Sequence, residues 1–131
     1  MRDIRWPVLL GTLLISACDA EIGVHFRVSA VGEDSTAQQS ARIAAALAAR
    51  HSLRAHTRSE CDVARYEHSR DTRLLVLCVE QEPQSVSFEL EEFIWGGAWS
   101  PKWSAKGDSV RRELEDTLRA RFGDRVTKSE L

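Results

Sequence analysis

TRLLVLCVE, Thr72 to Glu80, decides the fold, because Leu74 to Val79 are apolar without a break. A run this short and this rich in branched side chains suits a strand covered on both faces, expected at the centre of a sheet. Working outward, Glu82-Pro83-Gln84 interrupts the chain. Val86, Phe88 and Leu90 then alternate with Ser85, Ser87 and Glu89, the pattern of a strand with one solvated face. On the other side, Ser69-Arg70-Asp71 marks a turn, and Cys61 to Glu67 reads as the strand before it. Leu53 to Glu60 is polar and basic, a loop or a weak edge strand.

The flanking regions complete the architecture. Ile22, Val24, Phe26, Val28 and Ala30 alternate with polar residues and predict a first strand. Ser35-Thr36-Ala37-Gln38 fits a capping box, and the alanine-rich run to about Arg50 predicts a helix with a thin, closely packing face. Asp108 can cap a second helix, in which Val110, Leu114, Leu118 and Phe122 recur every four residues and Gly123 marks the end. Asp124 to Thr127 allows a short strand. The expected fold is α+β: an antiparallel sheet of about four strands with two helices packed on one face, a two-layer sandwich of which the ferredoxin-like arrangement is one version. The domain is expected over residues 22–127, with residues 128–131 as a frayed tail.

Cys61 and Cys78 read as a disulfide, stabilising by roughly 3 kcal/mol in the chain-entropy model. If the intervening turn centres on Ser69-Arg70, the two cysteines face each other across an antiparallel pair, within disulfide reach.

The N-terminus carries a different kind of signal. Met1-Arg2-Asp3-Ile4-Arg5 precedes the apolar run Trp6 to Ile15, which is far shorter than the roughly 20 residues of a membrane-spanning helix and suits a signal peptide. Ile15-Ser16-Ala17-Cys18 resembles the lipobox of bacterial lipoprotein signal peptides. Over residues 1–18, that resemblance implies removal of residues 1–17 and acylation of Cys18, followed by a short tether at residues 18–21. It implies a protein held in a bacterial membrane by acyl chains, with its domain in the periplasm or outside the cell. Asp19 resembles an inner-membrane retention signal and leans the location that way.

Composition narrows the chemistry. Lys and Arg number 18 against 20 Asp and Glu, a near-balance that persists without residues 1–17 and gives no electrostatic basis for binding nucleic acid, or an anionic membrane surface beyond the anchor. No hydrolase, zinc-protease, phosphate-loop or C-x-x-C motif is present, so no cofactor or metal is expected. His25, His51, His56 and His68 are expected to face solvent near turns. Glu89 and Glu91 share a strand face expected to be solvated. With His25 they form the alternative reading, a small hydrolase or metal-dependent enzyme. The candidate binding residues are Trp95, Trp99 and Trp103. Their spacing of four is not a helical stripe, because Gly96, Gly97 and Pro101 disfavour a helix. These aromatics are expected either to cover the end of the core or to meet an envelope protein, a glycan or the membrane surface. The leading expectation is a lipid-anchored envelope protein that acts by binding.

Overall fold

The computed structural model describes residues 19–57, 60–96 and 101–131. In chain order these form β1 (Asp19–Ser29), α1 (Thr36–Arg50), β2 (Arg54–Ala55), β3 (Ala64–Arg70), β4 (Arg73–Glu82), β5 (Ser85–Trp95), α2 (Ala105–Phe122) and β6 (Val126–Glu130), with a 3₁₀ turn at Gly123–Arg125. The strands make one antiparallel sheet in the order β2-β3-β4-β5-β1-β6.

This corrects the expected fold. The sheet has six strands, and the protein is more β-rich than a four-stranded sandwich, the ferredoxin-like version included. The additional strands lie at the two edges. Only Val126 of β6 is buried, and both residues of β2 are exposed. Backbone pairing holds them, and it leaves no hydrophobic alternation to read. Short, charged edge strands of this kind also keep a sheet from pairing with other chains. Residues 19–21, expected as tether, continue β1, and residues 128–130, expected as a frayed tail, belong to β6.

Register turns the strand pattern into layers. Val24, Leu90, Leu77 and Tyr66 lie in one row across β1, β5, β4 and β3; Phe26, Phe88, Val79 and Ala64 form the next. These rows join Ala44, Leu47 and Ala48 of α1 and Val110, Leu114, Leu118 and Phe122 of α2 in one buried cluster. Burying each large aliphatic or aromatic side chain contributes roughly 1.5–3 kcal/mol.

The Cys61–Cys78 disulfide is present, with α-carbons 5.5 Å apart. Its expected geometry is corrected. The β3–β4 turn is Asp71-Thr72, with Arg70 opposite Arg73, so Cys78 faces Arg65 in the ladder. Cys61 reaches Cys78 from the loop ahead of β3. The helix starts also differ from expectation. Ser35 makes no side-chain cap bond and instead accepts from Gln39 Nε2 at 2.7 Å. The second helix is capped by Ser104, not Asp108, which is held by Arg111 and Arg112.

One end of the sheet gathers the start of β1, the end of β5, the β3–β4 turn and the beginning of α2. There Asp19 pairs with Trp95, and Trp95 N–H donates to Thr72 O at 2.9 Å.

Candidate functional site

The site is built around a carboxylate on the core face. The parity that buries Val86, Phe88 and Leu90 also sends Glu92 inward, in a row with Ile22, Leu75 and His68. Glu92 is 2% exposed. A buried carboxylate is costly unless donors surround it, and three converge here. Ser104 N–H donates to Oε1 at 2.7 Å, the Ser104 hydroxyl donates to Oε2 at 2.6 Å, and Arg73 Nη1 lies 3.2 Å from Oε1. Ser104 Oγ in turn accepts from Gly107 N–H at 2.9 Å, closing the first turn of α2. Arg73 Nη1 also donates to Lys102 O at 2.9 Å. The whole segment from Lys102 to Gly107 is thereby fixed to the sheet.

Gly107 is required by this packing. A β-carbon there would stand 2.9 Å from Glu92 Oε1, 3.0 Å from the Trp103 ring and 3.2 Å from Ser104 Oγ.

Beside this network lies a cleft of about 320 Å³, lined by His68, Arg70, Arg73, Glu92, Ser104 and Lys106 among others. Burial, together with the charges of Lys106 and Arg70, holds the His68 imidazole below its ordinary value, against the opposing effect of a hydrogen bond with the Ser52 backbone. The fold thus favours neutral His68. Lys106 makes no hydrogen bond or ion pair with any described residue. Ser104 and His68 share the cleft, but the hydrogen bonds of Ser104 go to Glu92 and Gly107, so its hydroxyl is committed to structure. The lining sets Arg70, Arg73 and Lys106 beside Asp71 and Glu92; Arg73 is taken up by Glu92 and Arg70 lies near Asp71, which leaves Lys106 as the cation free to meet an anionic group.

The tryptophans do not form one surface. Trp95 is 44% exposed and lies on the sheet face opposite the core, whereas Trp103 is half-buried against the core cluster. Trp99 and Cys18 lie outside the described residues. Glu89 and Glu91 share the outer face as expected, but both are half-buried. Burial, then Glu21 and Glu89, push the Glu91 carboxyl above its usual range. His25 stands opposite Glu89 on that face and Gly23 opposite Glu91; none of these residues lines the cleft.

The remaining histidines depart from expectation. Only His56 is exposed; His25, His51 and His68 are half-buried, and His51 Nε2 lies 2.7 Å from Glu113. Cys61, Cys78 and Glu80 bring ligand-type atoms within 4.8 Å of one another, but the disulfide leaves no thiolate for a metal.

Sequence reasoning missed Glu92, Arg73, Ser104, His68 and Lys106 as a group. The signal for Glu92 was its even position in β5. The signal for Ser104 was the glycine three residues on, at the spacing of a serine cap. No local pattern pointed to His68 and Lys106, which meet only through the sheet.

Comparison with known proteins finds no family model that matches the chain, and no curated protein or solved structure that matches it either.

Proposed function

We propose that this chain is a bacterial envelope lipoprotein whose domain acts by binding at a membrane surface. Residues 1–17 are removed, Cys18 carries the acyl chains, and Asp19 favours retention in the inner membrane. The observation that carries the reading is Ile15-Ser16-Ala17-Cys18 placed directly ahead of β1, whose described part starts at Asp19. Two or more acyl chains give stable anchoring where a single one is marginal. Support for binding comes from the cleft of His68, Arg70, Arg73 and Lys106. Its polar groups are arranged to hold an anionic group and not to activate a nucleophile. The chemistry fits an anionic group, whether an envelope protein, a glycan or a lipid headgroup carries it.

The test is the fate of a Cys18→Ser variant in a bacterial host. The wild-type chain should fractionate with membranes and yield an N-terminal peptide whose mass includes acyl chains. The variant should keep its full precursor length or leave the membrane fraction. An unmodified Cys18 peptide from the wild-type protein would overturn the reading.

A further inference from the structure

We infer that the end of the domain bearing Asp19 lies flat against the bilayer, and that Arg70, Lys102 and Lys106 contact lipid phosphates there. This rests on the anchoring proposed above and adds an orientation and a ligand to it.

The geometry is restrictive. Successive α-carbons are about 3.8 Å apart, so Asp19 sits one step from the acylated residue, already paired with Trp95. No linker separates anchor from sheet. β1 is 11 residues long, so its far end stands roughly 35 Å away at the usual strand rise. The β4–β5 turn and Gly123 belong to that far end and cannot reach the headgroups. The near end cannot avoid them. Ala20, Ile94, Arg73 and Arg70 form a row across β1, β5, β4 and β3, which places Arg70 about 14 Å sideways from the anchor strand.

The side chains on this end suit the position. The Arg70 side chain is 82% exposed, and its nearest acid is Asp71, at 3.9 Å. Lys102 is exposed, and Lys106 is half-buried with no described partner. Trp95 adds an exposed indole, the side chain most at home in the headgroup layer. Asp19, Glu21 and Asp71 are the exposed acids at this end and Asp108, in the first turn of α2, is paired with Arg111 and Arg112, while Glu80, Glu89 and Glu91 lie further up the outer face. Each basic residue near an anionic leaflet strengthens the contact about fivefold. The anchor holds the domain at high local concentration, so contacts this weak are sufficient.

The test uses the mature lipidated protein in nanodiscs, with hydrogen exchange read segment by segment. One set of discs contains phosphatidylglycerol and phosphatidylethanolamine, the other phosphatidylcholine alone. Amides at residues 70–73 and 102–106 should exchange more slowly on the anionic discs at low salt. The turn at residues 82–85 and Gly123–Arg125 should not change. An Arg70→Gln/Lys106→Gln variant, which leaves the Glu92 network intact, should lose most of the slowing while β4 keeps its protection. Equal exchange in both discs, or slowing at the far end, would overturn the orientation. The same slowing from inorganic phosphate in detergent, without a response to lipid charge, would overturn the lipid assignment. Mass analysis of the Cys18 peptide in the same sample separates these results from a failure of anchoring.

Discussion

Replacing Glu92 tests whether one buried carboxylate holds the start of α2 to the sheet. In Glu92→Ala, Ser104 N–H and the Ser104 hydroxyl lose a charged acceptor at 2.7 and 2.6 Å, and Arg73 loses its carboxylate at 3.2 Å. Hydrogen bonds to a charged group contribute about 1.5–3 kcal/mol each. The two from Ser104 are shielded and count near the lower figure. The Arg73 side chain is about one-third exposed, so water replaces much of its loss, leaving roughly 1 kcal/mol. The expected cost is about 4 kcal/mol, within the range for breaking a buried ion pair. For a domain of this size that lowers the melting temperature by roughly 15 °C.

Glu92→Gln separates charge from shape. Its carbonyl can still accept from Ser104 N–H, while its amide must donate to Ser104 Oγ, so about 1–2 kcal/mol should be lost. Thermal unfolding of the purified mature protein, disulfide intact, followed by near-ultraviolet circular dichroism, measures both. Ser104→Ala combined with Glu92→Gln should cost less than the two single changes taken together, because the pair shares one interaction. A Glu92→Ala variant destabilised by less than about 1 kcal/mol would refute the reasoning, since the bonds from Ser104 and Arg73 would then contribute almost nothing to holding α2 on the sheet.

Three further outcomes are expected. The Cys61→Ser/Cys78→Ser variant should lose about 3 kcal/mol in urea unfolding, and an unchanged midpoint would show that the loop ahead of β3 is held by packing alone. Gly107→Ala should destabilise the protein despite alanine's helix propensity, because a gain of about 1 kcal/mol is outweighed by an overpacking cost of about 1–3 kcal/mol against Glu92, Trp103 and Ser104; a stabilised variant would place those contacts further away. Glu91→Gln should gain on the wild type as pH rises. The folded state binds the Glu91 proton more tightly than the unfolded chain, so the wild type loses stability as pH climbs from about 4.5 through the raised value. Urea unfolding across that range checks it, and a variant that loses ground at neutral pH contradicts the sign.

Much of the fold is legible in the sequence, for a physical reason. β1, β4, β5 and α2 each bury a regular face, and burial writes a period of two or of four. β2 and β6 bury almost nothing and are held by backbone bonds that any residue can make, so the strand count came out low. The disulfide was read from cysteine number and expected export, which do not depend on geometry; the register offered in its support placed the turn two residues early. The tryptophan stretch shows the limit of composition. Trp95 takes the outer face by its parity in β5, whereas Trp103 lies outside any strand and is set on the core side by the segment leading into α2. Glu92 was passed over because it stands next to Glu91 in the chain, although the two side chains point to opposite faces of the sheet.

The same contrast explains how the cleft keeps its charge. Glu92 is spent internally: it takes up Arg73, caps α2 through Ser104 and fixes the segment that carries Lys102 and Lys106. Its negative charge is therefore turned into scaffold, while the cations it positions remain at the surface. His68 lies between Lys106 and Arg70 and is driven toward its neutral form by burial and by those neighbours, which spares the cleft a further buried charge. The cationic groups at this end are thus lysine and arginine, whose charge does not vary near neutral pH, and not an imidazole. In the orientation proposed above, that division sets a buried acid to hold the frame, a neutral histidine to fill it, and permanent cations at the rim.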